Sequence, residues 1–128
     1  MRELQPLPPA LEPDYLHFKA TVTHMVDGDT ADLHFPESFH MQMDARVRLL
    51  GINAPEVRGL TAVAGKAATV YLSGLLMGAE SLIVQTYKPR EEDMYGRWLA
   101  EIWALKAGAW LNVNADMIAS GHAVSYWP

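Results

Sequence analysis

Cysteine is absent from the chain, which excludes disulfides and thiolate metal sites and leaves the redox compartment open. Long apolar runs are lacking as well. No stretch approaches the roughly 20 continuous apolar residues of a membrane span, so no membrane partner is expected. The opening M-R-E-L-Q-P-L-P-P has no apolar run of the kind a secretory signal needs. A cytoplasmic location is the resulting expectation, with secretion by other routes left open. Basic residues are scarce: ten Lys and Arg against fifteen Asp and Glu give a net charge of −5. That balance argues against broad, metal-free binding to nucleic acid, which relies on clustered cations. The segment from Arg46 to Arg97 nevertheless holds seven of the ten basic residues and five of the fifteen acidic ones. Phosphate contact is therefore expected at one small site.

What remains is apolar and strand-forming. Half of the 128 residues are hydrophobic, enough for one domain with a real core. Four prolines among residues 1–14 mark residues 1–15 as an extended arm, and residues 16–128 as the folded domain. Strand patterns run from Leu16 to Val26, Thr30 to Phe35, Arg46 to Ile52, Ser81 to Tyr87 and Gly96 to Leu105. Asp27-Gly28 joins the first two as a hairpin dipeptide, and Pro36 to Asp44 reads as a longer polar connection. Between the third and fourth strands, Ala64, Ala68, Tyr71, Leu72, Leu75, Leu76 and Ala79 recur at helical spacing. A short helix follows over Val113–Ser120, with Asn112 as N-cap and Gly121 at its end. Five strands with a helix after the third predict a mainly β fold with helices (α+β), a five-stranded Greek-key barrel of the OB type.

Chemistry concentrates in R-V-R-L-L-G-I-N-A-P-E, Arg46 to Glu56. A half-buried strand ends where Gly51 loosens the backbone and Pro55 forces Ala54 to be extended. One loop thus receives a guanidinium (Arg48), an amide (Asn53), carbonyl groups and a carboxylate (Glu56). Phosphodiester hydrolysis needs that mixture of cation, oxygen ligands and base. The other reading of this stretch is an ordinary core strand entering a Pro-terminated turn. Arg48 and Asn53 are five residues apart, so a regular strand would point them to opposite faces. A bulge or turn at Gly51 is required for them to meet. The histidines show no metal-binding spacing, and Trp98 and Trp103 read as core.

With V-D-G-D-T at Val26–Thr30 and D-M-Y-G-R at Asp93–Arg97, this stretch resembles the staphylococcal nuclease (thermonuclease) family over roughly Phe18 to Trp127. The resemblance implies the OB barrel with one long and one short helix. It also implies a further C-terminal helix for which this sequence has no segment. It implies a metal-dependent endonuclease acting on DNA, RNA or both. Asp29, Asn53 and the Ala54 carbonyl match the family's metal ligands. Glu56 matches its general base, and Arg48 and Arg97 match its phosphate-clamping arginines. Tyr95 matches a tyrosine beside the substrate, and Tyr126 and Trp127 are further candidates for stacking on a base. The expected cofactor is calcium, with magnesium or manganese as alternatives. The expected assembly is a monomer or weak homo-oligomer. Asn53 departs from the aspartate usual there and removes a ligand charge. It leaves a second expectation open, a weak or inactive OB module that binds nucleic acid or protein.

Overall fold

A computed structural model describes residues 16–38, 41–86 and 98–127. The arm expected over residues 1–15, Tyr95 and Arg97 lie outside them. Three long strands open the fold: β1 (Leu16–Asp27), β2 (Thr30–Ser38) and β3 (Met41–Leu49). After β4 (Ile52–Asn53) and a 3-10 turn (Gly59–Thr61) comes α1 (Ala62–Met77). The chain continues through β5 (Ser81–Thr86), β6 (Trp98–Lys106), β7 (Ala109–Asn112), α2 (Val113–Ala119) and β8 (Val124–Ser125).

The sheet runs β3-β2-β1-β5-β6-β7, and a parallel β3–β6 pairing closes its first five strands into a barrel. Closure leaves none of those five as a free edge. Alternating inward residues fill the interior: Ala31, Leu33 and Phe35 from β2, Val47 and Leu49 from β3, and Ala100, Ile102 and Ala104 from β6. α1 closes one end with Ala68, Leu72, Leu75 and Leu76.

The five-stranded barrel with two helices is as the sequence indicates, but several boundaries move. Pro36 to Asp44 is not a connection: β2 and β3 extend as a long hairpin through Ser38 and from Met41. The alternation there is masked by charge, since exposed Asp44 and Arg46 sit on the outer face, where Arg46 pairs with Asp32. The third strand stops at Leu49, and Leu50-Gly51 is a tight turn with Gly51 at φ +83° rather than a bulge. α1 begins and ends two residues earlier than its pattern, and Ala64 is exposed. β4, β7 and β8 are too short for periodicity to reveal.

The residues Gly59–Met77 are long and apolar enough, by length and composition, to cross a membrane. Gly, Thr, Ser73 and Lys66 interrupt it, so it contains no long unbroken apolar run. Here one face of the helix belongs to the barrel core.

Two glycines fix where the helix sits. A Cβ at Gly28 would lie 2.6 Å from the Ala68 Cβ and 2.8 Å from the Ala54 Cβ. The β1–β2 turn thus touches both α1 and the loop after β4, and glycine is required by that approach. At Gly65 a Cβ would lie 2.4 Å from the Glu56 carbonyl carbon and 2.8 Å from the Val57 Cα. Helix, turn and loop meet with nothing larger than an alanine methyl between them.

Candidate phosphodiester-hydrolysis site

Asp29 stands at the centre. It lies in the two-residue turn between β1 and β2 and is only 5% exposed. Its Oδ1 accepts the Thr30 hydroxyl at 2.9 Å and its Oδ2 accepts the Ala54 N–H at 2.9 Å. These bonds fix the carboxylate and tie the loop after β4 to the hairpin turn. Asp27 lies beside it, with its Oδ1 accepting the Asp29 N–H at 3.1 Å. Burial pushes the Asp27 carboxyl up to about 6, and the neighbouring Asp29 pushes in the same direction.

Arg48 reaches this carboxylate from β3. The β2–β3 register sets Thr30 opposite Arg48, so both point to one side. The Arg48 Nη2 lies 3.6 Å from the Asp29 Oδ2 and donates to the Asn53 Oδ1 at 3.1 Å, while Nη1 donates to the Leu49 carbonyl at 3.4 Å. The turn at Leu50-Gly51 therefore resolves the five-residue spacing. It reverses the chain so that Asn53 faces the arginine.

Sequence reasoning missed what holds that turn. Asn114, in the first turn of α2, is buried. Its Nδ2 donates to the carbonyls of Leu50 at 2.9 Å and Ala100 at 3.1 Å, and its Oδ1 accepts the Ile102 N–H at 3.0 Å. A polar residue between Val113 and Met117, both fully buried, was the available signal. Thr30, whose hydroxyl donates to the Asp29 carboxylate, was missed too.

The C-terminal segment lies against the same turn. The Tyr126 N–H donates to the Gly51 carbonyl at 2.9 Å, and the Arg48 guanidinium sits 5.7 Å from the centre of the Tyr126 ring. The Trp127 ring covers Gly51, where a Cβ would lie 2.5 Å from its Cζ2. Both aromatic rings remain exposed, Tyr126 at 49% and Trp127 at 67%.

Glu56 is exposed on the loop leading into α1. Its backbone is fixed: the carbonyl accepts the Thr61 hydroxyl at 2.8 Å and abuts Gly65. Among the described residues no three His, Cys, Asp or Glu side chains cluster in a metal-binding arrangement. His34 pairs with Asp44 at 2.7 Å, and His122 stacks on Tyr71, so neither is drawn to the site.

A hard divalent cation takes oxygen donors. Asp29, Asn53 and the Ala54 carbonyl are such donors on two loops bonded to each other. An amide oxygen has two lone pairs, so Asn53 keeps one beyond its bond to Arg48. The donor set fits a cation in chemical class, with less charge than a pair of carboxylates brings.

Comparison with curated proteins returns no match. The family model described as staphylococcal nuclease homologue matches residues 46–127, more than half of the chain, from β3 through the aromatic segment that covers Gly51. The chain belongs to the staphylococcal nuclease homologue family.

Proposed function

We propose that the protein is a metal-dependent nuclease that hydrolyses phosphodiester bonds in DNA, RNA or both. The observation that supports this reading most is the Arg48 guanidinium, set between Asp29 and Asn53 with Tyr126 beside it. A cation clamped next to a buried carboxylate, under an exposed aromatic ring, suits a phosphate with its base attached.

Glu56 takes a proton from the attacking water, and the exposed position of its side chain gives that water access. Arg48, joined by Arg97, stabilises charge on the phosphoryl oxygens through directed N–H groups. Asp29, Asn53 and the Ala54 carbonyl would hold the cation, calcium first among the candidates. When bound, it supplies positive charge against the phosphoryl oxygens. Tyr126 and Trp127 stack on a base, with Tyr95 as a further contact.

A second reading, an OB module that binds without turnover, is supported by one observation. Arg48 is already engaged by Asp29, Asn53 and the Leu49 carbonyl, so a phosphate must compete for it. One experiment separates the two. Single- and double-stranded DNA and RNA are incubated with wild type and Glu56→Gln, with each divalent metal and with chelator. Cleavage that needs metal and falls about 10²- to 10⁴-fold in Glu56→Gln supports the nuclease. Equal rates in both proteins, or turnover that survives chelation, refute the mechanism.

A further inference from the structure

The helical run Gly59–Met77 carries a second apolar stripe, on the side away from the barrel. Leu60, Val63, Ala67, Val70, Gly74 and Met77 are all exposed and follow each other at alternating steps of three and four residues. At 100° per residue this stripe lies opposite the buried Gly65, Ala68, Leu72, Leu75 and Leu76. Leu60 is fully exposed, and Val63, Val70 and Met77 are 85%, 71% and 63% exposed. Lys66 is the one charged residue in α1. Solvated helix faces are polar, and a helix apolar all round is ordinarily covered on every side.

We infer that this stripe is the interface of a two-fold homodimer in which α1 packs antiparallel against a second copy of itself. The order of residues along the stripe selects that occupant. A two-fold axis midway between Ala67 and Val70 sets Val63 against the partner's Gly74, and Ala67 against the partner's Val70. Leu60 then meets the partner's Met77. Large side chains fall opposite small ones at each inner position, as close helix packing requires, and the surface is complementary to itself as an isologous contact demands. Exposed Arg58 precedes the stripe in the chain and exposed Glu80 follows it, so antiparallel packing puts each Arg58 at the same end as the partner's Glu80, and the one charge beside the stripe is Lys66. Parallel packing would bring like charges together instead. Each stripe exposes on the order of 500 Å² of apolar surface, so two copies bury roughly 1,000 Å², the lower edge of a specific interface. The dimer is accordingly a weak one, whose population depends on concentration.

Sedimentation equilibrium of the full chain tests this, together with disulfide trapping, which the absence of native cysteine makes clean. Wild type is expected to form a concentration-dependent dimer. Val70→Asp, at an exposed position, is expected to raise the dissociation constant at least 100-fold while its circular dichroism melt stays that of wild type. Oxidised Val63→Cys/Gly74→Cys is expected to give a covalent dimer, with position 63 joined to the partner's position 74. Val63→Cys alone is expected to give none, because two copies of that residue lie roughly 16 Å apart along the helix axes. A wild type that stays monomeric at millimolar concentration, or pellets with lipid vesicles as a monomer, overturns the proposal. So does a Val70→Asp protein that still dimerises, or efficient trapping through Val63→Cys alone.

Discussion

Two glycines of α1 predict opposite responses to one methyl group. At Gly74 a Cβ meets nothing within 4 Å in its own chain, so in dilute, monomeric protein Gly74→Ala adds only helix propensity. That stabilises by about 0.5–1 kcal/mol, mainly through the unfolded chain. At Gly65 the same Cβ would fall 2.4 Å from the Glu56 carbonyl carbon and 2.8 Å from the Val57 Cα. These are backbone atoms that no rotamer change can move aside. Ordinary carbon contact is about 3.5–4 Å, so helix and loop must part by roughly 1 Å. Overpacking of this kind costs about 1–3 kcal/mol, and the propensity gain of up to about 1 kcal/mol offsets only part. Gly65→Ala should therefore fall below Gly74→Ala by the overpacking cost itself, about 1–3 kcal/mol or roughly 4–12 °C in Tm. The same displacement moves Glu56, and a misplacement near 1 Å can cost about 10²-fold in rate. Thermal melts and nuclease assays of both variants provide the check. If Gly65→Ala melts as high as Gly74→Ala, or keeps full activity, the helix does not set the position of Glu56.

Asp27 carries a pH signature in chelator. Its folded carboxyl, near 6, lies above the ordinary 3.8, so its contribution to stability is full below 3.8 and is lost as pH rises through 6. Two pH units would be about 3 kcal/mol, but for a half-exposed group about 1 kcal/mol is the reasonable figure. Asp27→Asn should then raise Tm at pH 8 and leave it nearly unchanged at pH 3.5; an equal effect at both would refute the cause. Tyr126→Leu should raise KM for a single-stranded oligonucleotide about 5- to 150-fold, from roughly 1–3 kcal/mol of base stacking. An unchanged KM would take Tyr126 out of the substrate site.

The barrel was legible because its strands alternate and the buried residues of α1 recur at helical spacing. Val47 and Leu49 point inward while Arg46 and Arg48 do not, and that period alone places β3. The hairpin from Phe35 to Asp44 was illegible because Pro36 and charged residues on its outer face look like loop chemistry. The candidate site was legible in its residue types. Arg48, Asn53 and Asp29 do meet, and Tyr126 and Trp127 do lie against the turn that joins them. What the sequence could not supply was the order of bonding among them. Nothing in R-L-L-G-I-N-A indicates that Asn114, more than 60 residues away, grips the Leu50 carbonyl. Nor does a strong hairpin dipeptide reveal that Gly28 is needed to admit Ala54 and Ala68. Long-range contacts between short polar groups leave no periodic trace.

The charge balance around Arg48 is where Asn53 matters most. Asp27 and Asp29 bring two carboxylates to the β1–β2 turn, and among the described residues Arg48 is the cation that faces Asp29, at 3.6 Å. Asn53 accepts from that guanidinium without adding charge. Asn53→Asp changes the balance by one negative charge at nearly constant side-chain size, so packing should survive. The new carboxylate would pair with Arg48 more strongly than the amide does, because charge-assisted bonds are roughly twice as strong as neutral ones. It would also face the same space as Asp29, where two carboxylates without a cation repel each other. Without metal, these two effects oppose each other, and Tm should move by no more than about 1 kcal/mol in equivalent stability. With calcium present the repulsion becomes attraction to the ion, and ligand charge count raises affinity in such sites. Calorimetric titration should show tighter calcium binding in Asn53→Asp than in wild type. Nuclease activity at limiting calcium should rise with it. Equal affinities in the two proteins would remove residue 53 from the metal site, and the reading of this barrel as a binding module would then stand ahead of the nuclease.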